Sequence, residues 1–173
     1  EYSLINELTV AANIFLGREL HLGASPFLNK REMARQVRAQ LDRFGLNIDP
    51  ACPVRDLNSG EKQIVEIIRA LMSDSWLIVM DEPTSALSEE DKERLFQFVR
   101  RMKAEGVAII YISHHMPEIF GIAEQVTVMR DGRIVLSERI GATSEAAVIE
   151  SMTGKELDDF VKPPKVIDGD VLL

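Results

Sequence analysis

The sequence predicts an α/β fold: a parallel sheet with flanking helices, a helical region ahead of it and a hairpin after it. Three observations carry this reading. Residues 76–80 and 107–112 are continuous apolar runs, the pattern of strands covered on both faces in a parallel sheet. Between them, residues 89–105 place Leu95, Phe98, Val99 and Met102 at helical spacing, so strand, helix and strand make one right-handed crossover. Asp131-Gly132 then separates two short β-type runs, which marks a tight hairpin.

The other elements follow in order. Residues 8–16 read as a short helix that Gly17 ends, and residues 18–29, with Leu20 and Leu22 flanking His21, read as a loop through Gly23 and Pro26. Residues 31–44 form an amphipathic helix on Met33, Val37, Leu41 and Phe44, closed by Gly45. Pro50 and Pro53 make residues 49–55 a second loop. Residues 59–72 are helical again, with Ile64, Ile67, Ile68 and Leu71 on one face. Ser88 and Asp91 pair as a cap at the start of the crossover helix. Residues 116–124 form a helix leading to strand 126–129 and its hairpin partner 134–136, and a last helix spans 143–152 behind Thr143 or Ser144. Asp158, Asp159, Pro163 and Pro164 read as a linker, and residues 171–173 as the start of a further element. There is no internal repeat.

Composition narrows the classes. With 46% hydrophobic and 28% charged residues in 173, the chain is neither disordered nor low-complexity, and a core of this size buries about 70% of the unfolded surface. A single cysteine, Cys52, excludes an internal disulfide framework. The net charge of −8 is the opposite of what a nucleic-acid binder needs, so no nucleic-acid partner is expected. The longest apolar run, 107–112, is far below the roughly 20 residues of a membrane helix. No signal-peptide pattern follows Glu1, so a soluble intracellular chain is expected.

Three motifs carry chemistry. The first buried run ends in Asp81-Glu82-Pro83, at the carboxyl end of a parallel strand where α/β folds bind ligands. Asp81 suits a Mg²⁺, directly or through water, and Glu82 suits orienting or deprotonating an attacking water. A bare acidic pair after a strand is most often only a turn. Leu57 to Gln63, read Leu-Asn-Ser-Gly-Glu-Lys-Gln, opens an amphipathic helix whose free N–H groups, with Ser59 beside them and Gly60 permitting close approach, can bind a phosphate. The plain alternative there is a Ser cap followed by a first-turn Glu. Finally, Ser113-His114-His115 ends the second buried run, where a histidine can donate to a phosphoryl oxygen.

Together, in this order and spacing, the motifs resemble those of the ATP-binding cassette (ABC) ATPases: signature helix, Walker B strand, D-loop and switch histidine. Within that superfamily, residues 8–19, Gln63-Ile64-Val65-Glu66-Ile67, Tyr111-Ile112-Ser113-His114 and Met152-Thr153-Gly154-Lys155-Glu156-Leu157 resemble the first nucleotide domain of two-domain sugar importers of the ribose, galactose and xylose kind. The resemblance implies a partial P-loop NTPase fold. Asp81 would belong to the Mg²⁺ site, Glu82 would be the catalytic carboxylate and His114 the switch residue at the γ-phosphate. Ser85, Ala86, Leu87 and Ser88 would be the D-loop. Asn58, Ser59, Gly60, Glu61 and Gln63 would face the nucleotide held by the opposite ATPase domain. Two positions depart from the family pattern: Asn58 stands where the signature has serine, and Ser88 where the D-loop has aspartate. Both would suit an asymmetric pair with one weaker site.

The Walker A pattern G-x-x-x-x-G-K-[ST] is missing. Gly154-Lys155 is followed by Glu156 and has Ile149 five residues before Gly154, so it forms no phosphate nest. The resemblance implies that the Q-loop glutamine immediately precedes Glu1 and that residues 169–173 begin a second nucleotide domain. The expected organisation is 1–73 as the Q-loop-proximal and helical signature region, 74–154 as the Walker B, D-loop and switch part of the core, and 155–173 as interdomain linker. The parent would be the ATP-hydrolysing subunit of a bacterial sugar importer, using ATP and Mg²⁺ at the cytoplasmic face of the inner membrane. Its partners would be transmembrane permease subunits, the second nucleotide domain and, indirectly, a periplasmic sugar-binding protein, with sugar choice lying in the permease and binding protein. The piece alone is expected to be inactive, and to self-associate through the 107–112 edge that a Walker A strand would otherwise cover. The alternatives are a non-transport ABC ATPase, against which acidic charge and the lack of a basic patch argue, and a nucleotide-free interaction module.

Overall fold

The computed structural model describes residues 4–73 and 75–154. The chain divides into two compact units, Glu1–His114 and His115–Leu173.

The first unit opens with α1 (Val10–Ile14), capped by Thr9, whose hydroxyl accepts the Ala12 amide at 3.2 Å. Asn13 is fully buried yet satisfied: its Oδ1 takes the Ile5 amide at 2.7 Å and its Nδ2 reaches the carbonyls of Ile5, Leu8 and Thr9. A buried amide without such partners would cost several kcal/mol, on the order of 2–7. The proline-bearing segment is tied to α1, since the amides of Val10 and Ala11 donate to the carbonyls of Cys52 and Pro50, both at 2.9 Å. α2 (Lys30–Arg43) starts on the Asn29 side chain, and α3 (Ser59–Leu71) packs on α1. Val10, Ile14, Val37, Leu41, Val65 and Ile68 are fully enclosed and form the centre of the unit.

Arg18, just past α1, joins the two helix ends. Its guanidinium donates to the Ile14 carbonyl at 3.0 Å, the Arg69 carbonyl at 2.9 Å and the Met72 carbonyl. A cation beside otherwise unmatched carbonyls is favourable at helix C-termini.

β1 (Leu77–Asp81) pairs in parallel with β2 (Ala108–Ile112), Val79 opposite Ile110 and Asp81 opposite Ile112. α4 (Glu89–Ala104) connects them, burying Leu95, Phe98, Val99 and Met102. Phe98 meets Phe44 edge-on at 5.1 Å, Arg101 donates to the Phe44 carbonyl and Arg43 pairs with Glu105 at 2.5 Å, so the end of α2 is fastened to α4. The continuous apolar runs led to an expectation of strands covered on both faces, and that expectation is corrected here. Ile78 and Met80 are buried, but Val79 is 57% and Ile110 49% exposed. Burial alternates with the period of 2 that follows from the pleat, so one face is covered and the other open.

The second unit contains α5 (Met116–Ile122), β3 (Gln125–Arg130), β4 (Arg133–Arg139) and α6 (Glu145–Thr153). β3 and β4 form an antiparallel pair of their own, turned by Asp131 and Gly132 at φ +51° and +74°. Two positive φ values are what a two-residue type I′ turn demands. Met116, Val126, Val128 and Val148 form this unit's core, and Ser144 caps α6. Residues 155–173, expected to be linker, lie outside the described residues. Among the described residues, no helix is long and apolar enough to cross a membrane.

Candidate functional site

β1 delivers its last residue, Asp81, to the surface at the carboxyl end of the parallel pair, opposite Ile112. The next residue breaks the strand. Glu82 has φ +45°, a left-handed conformation that costs a residue with a Cβ roughly 1–2 kcal/mol. It is held there by its amide, which donates to the Ile112 carbonyl at 2.9 Å, and by its own carbonyl, which accepts the Ser85 amide at 3.2 Å. The reversal turns the Glu82 side chain away from strand alternation and toward the end of β2.

There its Oε1 meets His114 twice: the His114 amide donates at 3.1 Å and the ring Nδ1 lies 2.7 Å away. Oε2 is enclosed and has no hydrogen-bond partner among the described residues. The carboxylate is thus fixed through one oxygen, and the buried lone pairs of the other are left unused. Backbone strain of this kind collects at functional sites.

Pro83 and Thr84 are buried and close the turn, while Ser85, Ala86 and Ser88 are exposed and Leu87 half-buried. Ser88 caps α4, taking the Asp91 amide on its hydroxyl at 3.2 Å.

The Asn58–Gln63 stretch sits beside the start of α4. α3 begins at Ser59 as expected, and its cap is Asn58, not the serine of the plain alternative: Asn58 Oδ1 accepts the Glu61 amide at 2.8 Å and Glu61 Oε2 accepts the Asn58 amide at 3.0 Å. Ser59 is the first helical residue, Gly60 is buried and Gln63 is half-buried in the first turns. Asn58 thus performs the capping that any short polar residue can supply here, which answers the departure from serine in structural terms.

Glu82 and His114, distant in sequence, are brought into contact; Asn58–Gln63 and Ser85–Ser88 are brought to neighbouring helix starts. Ile112 and Thr84 were not singled out from the sequence, although the Ile112 carbonyl positions Glu82 and Thr84, 1% exposed, accepts the Leu87 amide at 3.1 Å. The available signal was the apolar run ending one residue before Ser113-His114. Asp81 offers a hard, exposed carboxylate that fits Mg²⁺, an ion that takes one or two carboxylates and completes its shell with water and phosphate oxygens.

A carboxylate on a strained backbone thus meets a strand-end histidine at the carboxyl end of the parallel pair. The family profile described as "ABC transporter" matches residues 1–85. Solved structures agree: an ATP-binding cassette of an ABC transporter in its ADP conformation is 27% identical, with a TM-score of 0.70 over 87% of this chain and 64% of that one. A metal-chelate type ABC transporter superposes at a TM-score of 0.72 over 89% of this chain and 61% of that one, with 17% identity, and supports the fold alone. The chain is thus similar to the ATP-binding cassettes of ABC transporters.

Among individual proteins, it is similar to ribose import ATP-binding proteins. That of Rubrobacter xylanophilus is 42% identical over all 173 residues, which span 34% of its length. That of Bacillus licheniformis is 43% identical over the whole chain and 35% of its own length. The chain therefore spans about a third of the curated relatives it matches.

Proposed function

We propose that this chain is the signature, Walker B and switch part of the first ATP-binding cassette of a sugar importer's energising subunit. The observation that carries it is the Glu82–His114 contact at the end of the parallel pair. The whole-chain similarity to ribose import ATP-binding proteins supports the sugar class. In this reading residues 1–73 form the helical signature region, 74–154 the catalytic part of the core and 155–173 an interdomain linker.

The Glu82 carboxylate would accept the proton of the attacking water, with His114 holding Oε1 and so fixing the carboxylate's direction. Asp81 would hold Mg²⁺, whose charge offsets that on the phosphate oxygens. The α3 start, Asn58 to Gln63, and the Ser85–Ser88 turn present N–H and hydroxyl groups toward nucleotide on a second cassette. Permease subunits at the cytoplasmic face of the inner membrane would take up the resulting motion.

The 173 residues hold no G-x-x-x-x-G-K-[ST], so the piece alone lacks the lysine and N–H nest that position the β- and γ-phosphates. Calorimetry on the isolated chain should show no micromolar ATP binding, while the full-length protein binds and hydrolyses ATP with Mg²⁺ and co-purifies with a permease. Micromolar binding by the piece, or a full-length protein without turnover, overturns the reading. We also propose that the isolated piece self-associates through the β1–β2 sheet, where Val79, Ile110 and Ile112 are exposed. The hairpin pairs with itself among the described residues and so does not supply a third strand. Light scattering that shows a monomer excludes this.

A further inference from the structure

The starts of α3 and α4 meet at Gly60 and Asp91, and Asp91 belongs to neither motif. Gly60 is buried against Asp91: a Cβ on Gly60 would lie 2.7 Å from Asp91 Cβ and 2.8 Å from both Cγ and Oδ1. Such distances are below any normal carbon contact, so the bare backbone of Gly60 is what lets Asp91 sit where it does. On its other side, Asp91 closes the turn that precedes α4. Its Oδ2 accepts the Ser88 hydroxyl at 2.8 Å and its amide donates to the same hydroxyl at 3.2 Å. The Asp91 side chain is only 16% exposed, and Arg94 stands 4.0 Å from its Oδ1.

Both helix starts also present their positive dipole ends here, and a short carboxylate between them is favoured by each. Asp91 is short, has few rotamers and is held by two hydrogen bonds. It therefore transmits displacement between Gly60 and Ser88 better than a long, exposed pair could.

We propose that Asp91 is a positioning residue that sets the Ser85–Ser88 turn in register with the Asn58–Gln63 helix start within one chain. This rests on reading those two segments as nucleotide-facing; the contact itself stands apart from that reading. If Asp91 is shortened, Gly60 loses its abutment and Ser88 its carboxylate partner, and both segments drift together.

The test uses the full-length protein. Asp91→Ala should lower kcat about tenfold while KM for ATP stays within about twofold, because placement and not ground-state binding is lost. Asp91→Asn keeps the shape against Gly60 and still accepts the Ser88 hydroxyl, and should restore kcat to within about threefold of the parent. Arg94→Ala, on the exposed side, should leave kcat unchanged. Hydrogen exchange should speed up at the amides of both segments in Asp91→Ala, and Ser88→Ala should reproduce part of that change if Asp91→Ala fails to fold.

Parent-like kcat and exchange in Asp91→Ala overturn the proposal. So does failure of Asn to rescue, which would make the residue a charge and not a contact. A full-length protein without any ATP turnover sinks the proposed function instead, and the exchange experiment then still decides whether Asp91 joins the two segments.

Discussion

At the start of α3, Asn58 and Glu61 exchange hydrogen bonds of 2.8 and 3.0 Å, and two of the helix-start donors are satisfied by side chains of the helix itself. At the end of β1, Glu82 sits at φ +45° with one carboxylate oxygen on His114 and the other enclosed without a partner. Both are polar chain reversals beside the proposed nucleotide site. The first is a reciprocal cap and contributes to stability. The second holds a strained backbone and an unused acceptor, which favours chemistry over stability. Change at the two places should therefore show in different measurements.

The largest effect should come from Glu82→Gln. In the full-length protein we expect turnover to fall by about 10²-fold or more with ATP affinity nearly unchanged, since the amide is a poor proton acceptor of the same shape. Turnover equal to the parent's would mean that Glu82 is not the catalytic carboxylate or that a second cassette does all the work. Asn58→Ala should act on stability, costing about 1 kcal/mol as a lost cap, read as a lower urea midpoint. Equal stability would break the contrast from the other side.

Glu82→Gly inverts the usual expectation. Glycine adopts φ +45° freely, so relief of roughly 1–2 kcal/mol of strain outweighs the entropy it adds, and the urea midpoint should rise even as activity disappears. A destabilised variant would show that the His114 contact, and not strain, dominates there. Glu32 gives the smallest effect. Its hydrogen bonds with Arg35 and then Gln36 hold its carboxyl down at about 2 against an ordinary 4.5. A lowered value means that its contribution is present above pH 4.5 and lost as pH falls toward 2. The group is partly exposed and screened, so Glu32→Gln should differ slightly from the parent at neutral pH and merge with it near pH 2.

Much of this was legible in the residues. Leu95, Phe98, Val99 and Met102 recur at helical spacing, and all four are buried, because periodicity reports which face meets a core. The Asp131-Gly132 turn was equally plain, since few dipeptides accept two positive φ values. The open face of β1 and β2 was not legible: an apolar run states what a strand could bury, not whether a layer lies over it. The helix start at Ser59 was legible, but Asn58 and Ser59 are both good caps and only backbone geometry separates them. Nor is glutamate a residue type that announces a positive φ. The conformation of Glu82 is set by the Ile112 carbonyl and His114, about thirty residues away, and it becomes visible only once the register of the parallel pair is known.

Arg18 links the trailing ends of two helices, one guanidinium serving carbonyls from residues 14, 69 and 72. α3 runs about 20 Å from that anchor to Asn58, at 1.5 Å per residue. A rod tied at one end by Arg18 and resting at the other on Asp91 works as a lever on that contact. A push on the loop that follows Arg18 should reach the Asn58 end as a swing and not as a bend. Replacing Arg18 would put slack into the linkage, and force applied at one end would dissipate before it arrived at the other.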